Sequence, residues 1–264
     1  MRIVWINVPR MPTIQPAVQL YTVRSLTETD FAGTLREIAR IGYTGVELAG
    51  YGNLASAAEA KKAIDDAGLK IVGAHVPIEI LEGHLSKALD DQAALGNPNI
   101  ICPWMPEERR TSAAAWKRTA ESFNAIGAAC RARGFAFAYH NHNFEFDKFD
   151  GQTAMDILWS STDPARVRSE LDVYWVKYAG EDPVDYMRKL GSRVLSLHMK
   201  DMAAGPERRF AELGSGLLDF KAIIDAAMKL GIRNFVVEQD DTYGVPPLEA
   251  IRRSLDYLKA IGVV

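Results

Sequence analysis

The sequence predicts an α/β chain closed as a (β/α)8 barrel, on three observations. Short β-branched runs alternate with amphipathic segments, a recurrent glycine joint separates them, and eight strand starts fall about 25–41 residues apart. The joints carry the repeat. Arg40-Ile41-Gly42, Ala94-Leu95-Gly96, Lys189-Leu190-Gly191 and Lys229-Leu230-Gly231 each pass from a basic or small residue through an apolar one to glycine. Ala67-Gly68, Ala132-Arg133-Gly134 and Ala260-Ile261-Gly262 repeat the theme. Glycine takes the left-handed conformation past a helix end without a Cβ penalty, and a basic last turn suits the helix dipole.

Strands are predicted at 17–21, 45–48, 71–75, 100–102, 136–141, 169–173, 194–198 and 235–238. Helices are predicted at 34–41, 55–67, 85–95, 112–133, 183–190, 220–230 and 247–261. Leu248, Ile251, Leu255 and Leu258 form one apolar face of the last. Strand–helix alternation implies parallel pairing through right-handed crossovers. The 264 residues suit a barrel, which typically takes about 250. An open doubly wound sheet is the alternative. It expects a glycine-rich loop after the first strand, where Tyr21-Thr22-Val23-Arg24-Ser25 stands instead. One barrel domain over 1–264 is expected, with residues 1–15 outside the repeat and read as an N-terminal arm.

Composition excludes several classes. Lys and Arg total 31 against 34 Asp and Glu, a net charge of −3, with 48% hydrophobic and 25% charged residues. These are the proportions of a globular chain, not a disordered one. The charge lacks the basic footprint of a nucleic-acid binder. No run reaches the ~18 apolar residues of a membrane span, and Ile3–Val8, broken by Asn7, is too short for a secretory core. Cys102 and Cys130 make no disulfide framework or metal spacing. A cytoplasmic protein with neither nucleic-acid nor membrane partners is expected.

In a (β/α)8 barrel the strand ends meet at one mouth, where chemistry sits. Here they read Glu47, His75, Trp104, His140 with His142, Asp172, His198 with Lys200, and Glu238 with Asp240. Residues two apart on a strand face one way, so His140 shares a side with His142 and His198 with Lys200. Asp172, His198 and Glu238 end apolar strands, where an unpaired charge would be costly, so they read as metal-binding or catalytic rather than as structural ion pairs. Their mixed carboxylate and imidazole chemistry suits Mn, Co or Zn better than Mg. For others the alternatives stay open. Glu47 reads as a helix cap or a site residue, His75 as a turn residue before Val76-Pro77 or a site residue, and Trp104 as mouth packing or a stacking wall. Glu145 is a loop carboxylate or a site residue. Asp240-Asp241 reads as a turn pair, and His84 as a solvated surface residue.

The runs Gly42-Tyr43-Thr44-Gly45-Val46-Glu47-Leu48, Ala74-His75-Val76-Pro77, Tyr139-His140-Asn141-His142, Leu171-Asp172-Val173, Leu197-His198-Met199-Lys200-Asp201 and Val237-Glu238 together resemble the xylose-isomerase-like barrel superfamily. Val18-Gln19-Leu20-Tyr21-Thr22-Val23-Arg24 and Leu213-Gly214-Ser215-Gly216-Leu217-Leu218-Asp219-Phe220 extend the likeness from about residue 16 to the end. The superfamily holds sugar phosphate isomerases and epimerases, inosose dehydratase and endonuclease IV. The resemblance implies a divalent-metal-dependent isomerase or epimerase of a small sugar or polyol, working through an enediolate, and a homo-oligomer. It implies Asp172, His198 and Glu238 as metal ligands, with His140 where the epimerases carry glutamate; a two-residue shift would put His142 there.

On that reading Glu238 moves the proton, with His140, His142 or Glu145 as the opposing acid–base. Lys200 would neutralise an oxyanion or grip a hydroxyl or phosphate, Glu47 and His75 would bond sugar hydroxyls, and Trp104 or Trp175 would cover an apolar ring face. A keto-sugar or inosose-type dehydratase and a metal-free sugar-binding protein are the alternatives. An endonuclease IV-like phosphodiesterase would need more than five histidines and a basic groove.

Overall fold

The computed structural model describes residues 13–264. Eight parallel strands close a barrel: β1 (Ala17–Gln19), β2 (Gly45–Leu48), β3 (Lys70–His75), β4 (Asn99–Cys102), β5 (Ala136–His140), β6 (Arg168–Asp172), β7 (Val194–Met199) and β8 (Asn234–Val237). Each pairs with its sequence neighbours, and β1 closes on β8 through Ala17 opposite Val236. Helices cover the outside, so the strands are buried on both faces and read as near-continuous apolar runs. Helix Ala113–Ala132 shows the packing: Phe123 stacks edge-on against Phe137 of β5 with centroids 5.3 Å apart, and Trp116 is fully buried beside it.

The helices start where side chains can satisfy orphan N–H groups. Ser56, Ser112, Asp182 and Asp219 each accept from a backbone N–H in the first turn. The glycine joints stop them, Gly42 at φ 114° and Gly96 at φ 67°. Helices Leu85–Leu95 and Pro183–Leu190 and strand β2 have the predicted bounds.

Other elements differ from prediction. The first strand ends at Gln19 because the Gln19 side chain accepts from Tyr21 N–H and turns Leu20–Val23 into a 3-10 helix. The first helix starts at Arg24 rather than 34 and kinks at Asp30, whose carboxylate caps Gly33 N–H at 2.8 Å. Short helices at Ile78–Gly83, Ala154–Ser161 and Val173–Tyr178 were unpredicted; at six to eight residues each is too short to show a helical period. Met1–Pro12 of the expected arm, with the Ile3–Val8 run, lies outside the described residues. Ile14 is no arm residue: it is buried and donates its N–H to Val263 O at 2.6 Å.

Two register shifts aim the interior. Between Val46 and Glu47 of β2 the partner strand β3 carries one extra residue, Val72; between Ser169 and Glu170 of β6 the partner β7 carries Leu195. Such shifts re-aim side chains beside sites, and each here lies at a carboxylate pointing to the barrel axis. Gly73 makes room for the first. A Cβ there would collide with the Glu47 carboxylate and lie 2.8 Å from Ile101 Cδ1. Gly73→Ala is therefore expected to destabilise the fold by about 1–3 kcal/mol, an overpacking cost, measured as a lower urea midpoint with unchanged slope.

Candidate metal and sugar site

At the carboxyl end of the barrel the axis holds charge instead of aliphatic packing. Glu47 and Glu170 form the lower tier. Glu170 Oε1 lies 2.9 Å from His75 Nε2, 2.9 Å from His198 Nε2 and 3.3 Å from His140 Nδ1, and its Oε2 accepts from Ser196 Oγ at 2.7 Å. Glu47 Oε1 lies 2.6 Å from His198 Nε2 and 3.2 Å from His75 Nε2, and accepts from Gln19 Nε2 at 2.9 Å. Three imidazoles thus share two carboxylates, with His75 and His198 stacked at 5.4 Å and 13°.

The other ring nitrogens face upward. His198 Nδ1 lies 2.8 Å from Glu238 Oε2, and His140 Nε2 is 3.7 Å from Asp172 Oδ2. Lys200 Nζ sits among three carboxylates, 3.1 Å from Asp172, 2.7 Å from Glu238 and 2.8 Å from Asp240. Asp172 Oδ1 caps the next helix by accepting from Tyr174 and Trp175 N–H, which leaves Oδ2 turned inward.

Neighbouring charge sets the protonation. Burial alone would lower His75, but Glu47 and Glu170 raise it to about 9. His198 is likewise raised well above its ordinary value against burial by Glu170, Glu47 and Glu238. His140 goes the other way: burial, then the positive His198 and Lys200, lowers it to about 3. Burial and His140 hold His142 neutral as well. Burial raises Asp172 to about 6, opposed by Lys200, whereas Lys200 and His198 overcome burial to hold Glu238 well below the carboxylate range.

His140, Asp172, His198 and Glu238 bring four ligating atoms within 4.8 Å of one another. Two imidazoles with two carboxylates fit a divalent cation of the Mn, Co or Zn type. Asp172 Oδ2 strengthens the fit, since among the described residues it is buried and accepts no hydrogen bond, even with the Lys200 ammonium alongside. A second converging set, His75, His140, Glu170 and His198, lies below it. That tier is satisfied internally, and it orients His140 and His198 through the nitrogens that the upper set does not need.

Above the upper set opens a cavity of about 700 Å³, lined by Tyr21, Pro77, Trp104, His140, His142 and Glu238 among others. Of the residues singled out by sequence, His75, Trp104, His140, His142, Lys200, Glu238 and also Asp240 reach this wall. Asp240 is more than the turn residue expected, because it accepts from Lys200; Asp241 does make the turn, accepting from Tyr243 N–H. Asp172 and His198 are buried outside the lining, and Glu47, Glu145 and Trp175 also lie off the wall. Glu47 sits under His198, beneath the cavity rather than on it. Glu145 is buried behind β5, where it accepts from Tyr139 OH and from His142 N–H at 2.8 Å, and burial raises it to about 7. Trp175 stands 5.5 Å behind the His142 ring, outside the lining. His84 is exposed, as expected. Sequence reasoning missed Glu170, although the two-residue period that paired His198 with Lys200 also places Glu170 on the side of Asp172.

This barrel with its ionic floor is an α/β class of known relatives. Residues 35–261 match the xylose isomerase-like TIM barrel family, and the chain belongs to it. Among solved structures it is similar to a sugar phosphate isomerase/epimerase from Parabacteroides distasonis, 30% identical, covering 95% of this chain and 100% of that one with a TM-score of 0.83. A 3-keto-D-glucoside 4-epimerase from E. coli shares the fold at 17% identity, covering 94% of this chain and 100% of that one, with a TM-score of 0.69. Among curated proteins, an inosose dehydratase from Lacticaseibacillus casei is 23% identical over 210 residues, 73% of this chain and 66% of that relative's length. Among the described residues no helix is long and apolar enough to cross a membrane.

Two outcomes follow from the lower tier. Glu170→Gln removes the shared negative charge and leaves His75 with Glu47 alone and His198 with Glu47 and Glu238. A loss of about 3–5 kcal/mol in unfolding free energy is expected, from chemical denaturation. Because His75 is raised in the folded state, its stabilisation is complete below about pH 6.5 and is lost as pH rises toward 9. In chelator-treated protein the melting temperature should fall across that window, and His75→Gln should flatten the fall.

Proposed function

We propose that this chain is a divalent-metal-dependent sugar isomerase or epimerase acting by proton transfer at carbon. The observation that carries the reading is the convergence of His140, Asp172, His198 and Glu238 at the floor of a cavity large enough for a sugar. Those four side chains would hold the cation, which when bound supplies Lewis-acid polarisation of a carbonyl and its neighbouring hydroxyl.

The chain's own residues do the rest. Glu238, ionised beside Lys200, faces the cavity and takes or returns the carbon-bound proton. His142, neutral, stands across the floor as the opposing acid–base, while His140 is held by Glu170 as a ligand; among the described residues His142 Nδ1 is buried with no partner, ready to accept a proton or a sugar hydroxyl. Lys200 stays charged and steadies negative charge developing on a substrate oxygen. His75 offers a hydroxyl contact from the cavity wall, and Trp104 a face for a sugar ring. Glu47, Glu145 and Trp175 serve from behind: Glu47 fixes His198, Glu145 anchors the His142 backbone, and Trp175 backs the His142 ring.

A second reading, dehydration of a keto sugar, is favoured by one feature. The matched curated relatives carry the name inosose dehydratase. Its product would be lighter than substrate by one water.

Sugars incubated in deuterated water with Mn should gain deuterium at carbon. Glu238→Gln is expected to cut that exchange about 10²–10⁴-fold with the circular dichroism spectrum unchanged. Wild-type exchange rates in the variant would defeat the assignment. Chelation should abolish exchange and added Mn restore it.

A further inference from the structure

The charge and shape of the cavity narrow the substrate, if it is the sugar site proposed above. A phosphorylated sugar needs uncommitted donors, and the wall offers none suited to a phosphate dianion. Lys200 is the one lysine or arginine among the lining residues, and its ammonium already faces Asp172, Glu238 and Asp240. A phosphate in the cavity would meet two carboxylates, Glu238 and Asp240, beside one ammonium that they have neutralised. Two arginines stand over rim aromatics, Arg24 over Tyr21 at 4.0 Å and Arg110 over Trp104 at 5.5 Å, and neither lines the cavity. Arg24 donates to Tyr21 O at 2.7 Å and Asp240 O at 3.1 Å, while Arg110 stacks on Phe144 at 3.9 Å.

The backbone site that barrels often use for phosphate is also taken. It lies in the loops after the seventh and eighth strands. Here the glycine-rich stretch Leu213-Gly214-Ser215-Gly216 follows the seventh strand and curls its N–H groups around one point. The Asp201 carboxylate fills that point, accepting from Met202 at 2.8 Å, Gly214 at 2.9 Å, Gly216 at 3.0 Å and Leu218 at 3.1 Å. A Cβ at Gly216 would collide with that carboxylate, so glycine there serves the chain's own anion.

The cavity is meanwhile roomy for one ring. Its volume, about 700 Å³, lies toward the upper part of the ~300–1,000 Å³ range of small-molecule sites. The reacting groups gather on the floor, while the rim is apolar: Tyr21, Pro77, Pro103 and Trp104. Tyr21 and Trp104 are each 43% exposed, although a guanidinium lies over one side of each ring. A pyranose seated on His140, Lys200 and Glu238 leaves the exposed side of Trp104 for a second ring.

We propose that the substrate is an uncharged glycoside or short oligosaccharide, its reacting ring on the floor and its second ring stacked on Trp104. The test measures binding to full-length, Mn-loaded protein by titration calorimetry. The panel comprises the common aldohexoses and ketohexoses, their 1- and 6-phosphates, and their disaccharides and phenyl glycosides. The best two-ring member should bind at least ten-fold more tightly than its parent monosaccharide, and each phosphate ester less tightly than its parent. In Trp104→Ala the ratio of two-ring to one-ring affinity should drop to about one. Tighter binding of a phosphate ester, no gain from a second ring, an unchanged ratio in Trp104→Ala, or no binding across the panel each overturns the proposal. Two-ring binding without deuterium exchange would instead remove the catalytic reading and leave this one standing.

Discussion

Two carboxylates on the barrel axis, Glu47 and Glu170, hold three imidazoles in one layer, and the rest of the site is built on that layer. An ionised carboxylate in a low-dielectric interior is strongly unfavourable unless paired and hydrogen-bonded. Here each is both: Glu170 meets His75, His140, His198 and Ser196, and Glu47 meets His75, His198 and Gln19. The raised His75 and His198 supply the matching positive charge. Satisfied below, His140 and His198 present their remaining nitrogens to Asp172 and Glu238, which is how a carboxylate–histidine pair prepares an imidazole for a metal.

The backbone pays for this geometry at few places. One extra residue in β3 and one in β7 shift the register where Glu47 and Glu170 turn inward, and Gly73 leaves the space that the first carboxylate enters. Lys200 performs the equivalent task above. Its ammonium keeps Asp172, Glu238 and Asp240 together in a space where three carboxylates alone would repel. The site is therefore an alternation of charge along the barrel axis: carboxylates, imidazoles, then carboxylates with an ammonium, opening on an aromatic mouth. Those carboxylates, which already neutralise the ammonium, are why the cavity has little to offer a dianion.

Much of this was legible in the chain. His198 follows Val194-Leu195-Ser196-Leu197 and Glu238 follows Phe235-Val236-Val237, and a polar group at the end of such a run has few places to go but a strand-end site. Glu170 was not legible for a related reason. In Arg168-Ser169-Glu170-Leu171-Asp172 the face shared by Arg168, Glu170 and Asp172 is wholly charged and reads as a wet face. Only closure of the sheet turns that face into an interior. Glu145 and Trp175 show the converse, residues of suitable chemistry near strand ends that the turn geometry sets behind the wall; Glu145 reaches Tyr139 and the His142 backbone instead of the cavity.

The sequence by itself determined the alternation of strand and helix, the parallel closure, and the residue types at the mouth, because periodicity and helix punctuation are local properties of the chain. Tertiary structure decided which side chains share a partner. Whether Glu47 touches a ligand or a histidine, whether Asp240 is a turn residue or the third anion around Lys200, and whether Gly214 and Gly216 cradle a phosphate or Asp201 all depend on distances between strands far apart in sequence. Those distances are set by strand register and barrel closure, and no window of neighbouring residues encodes them.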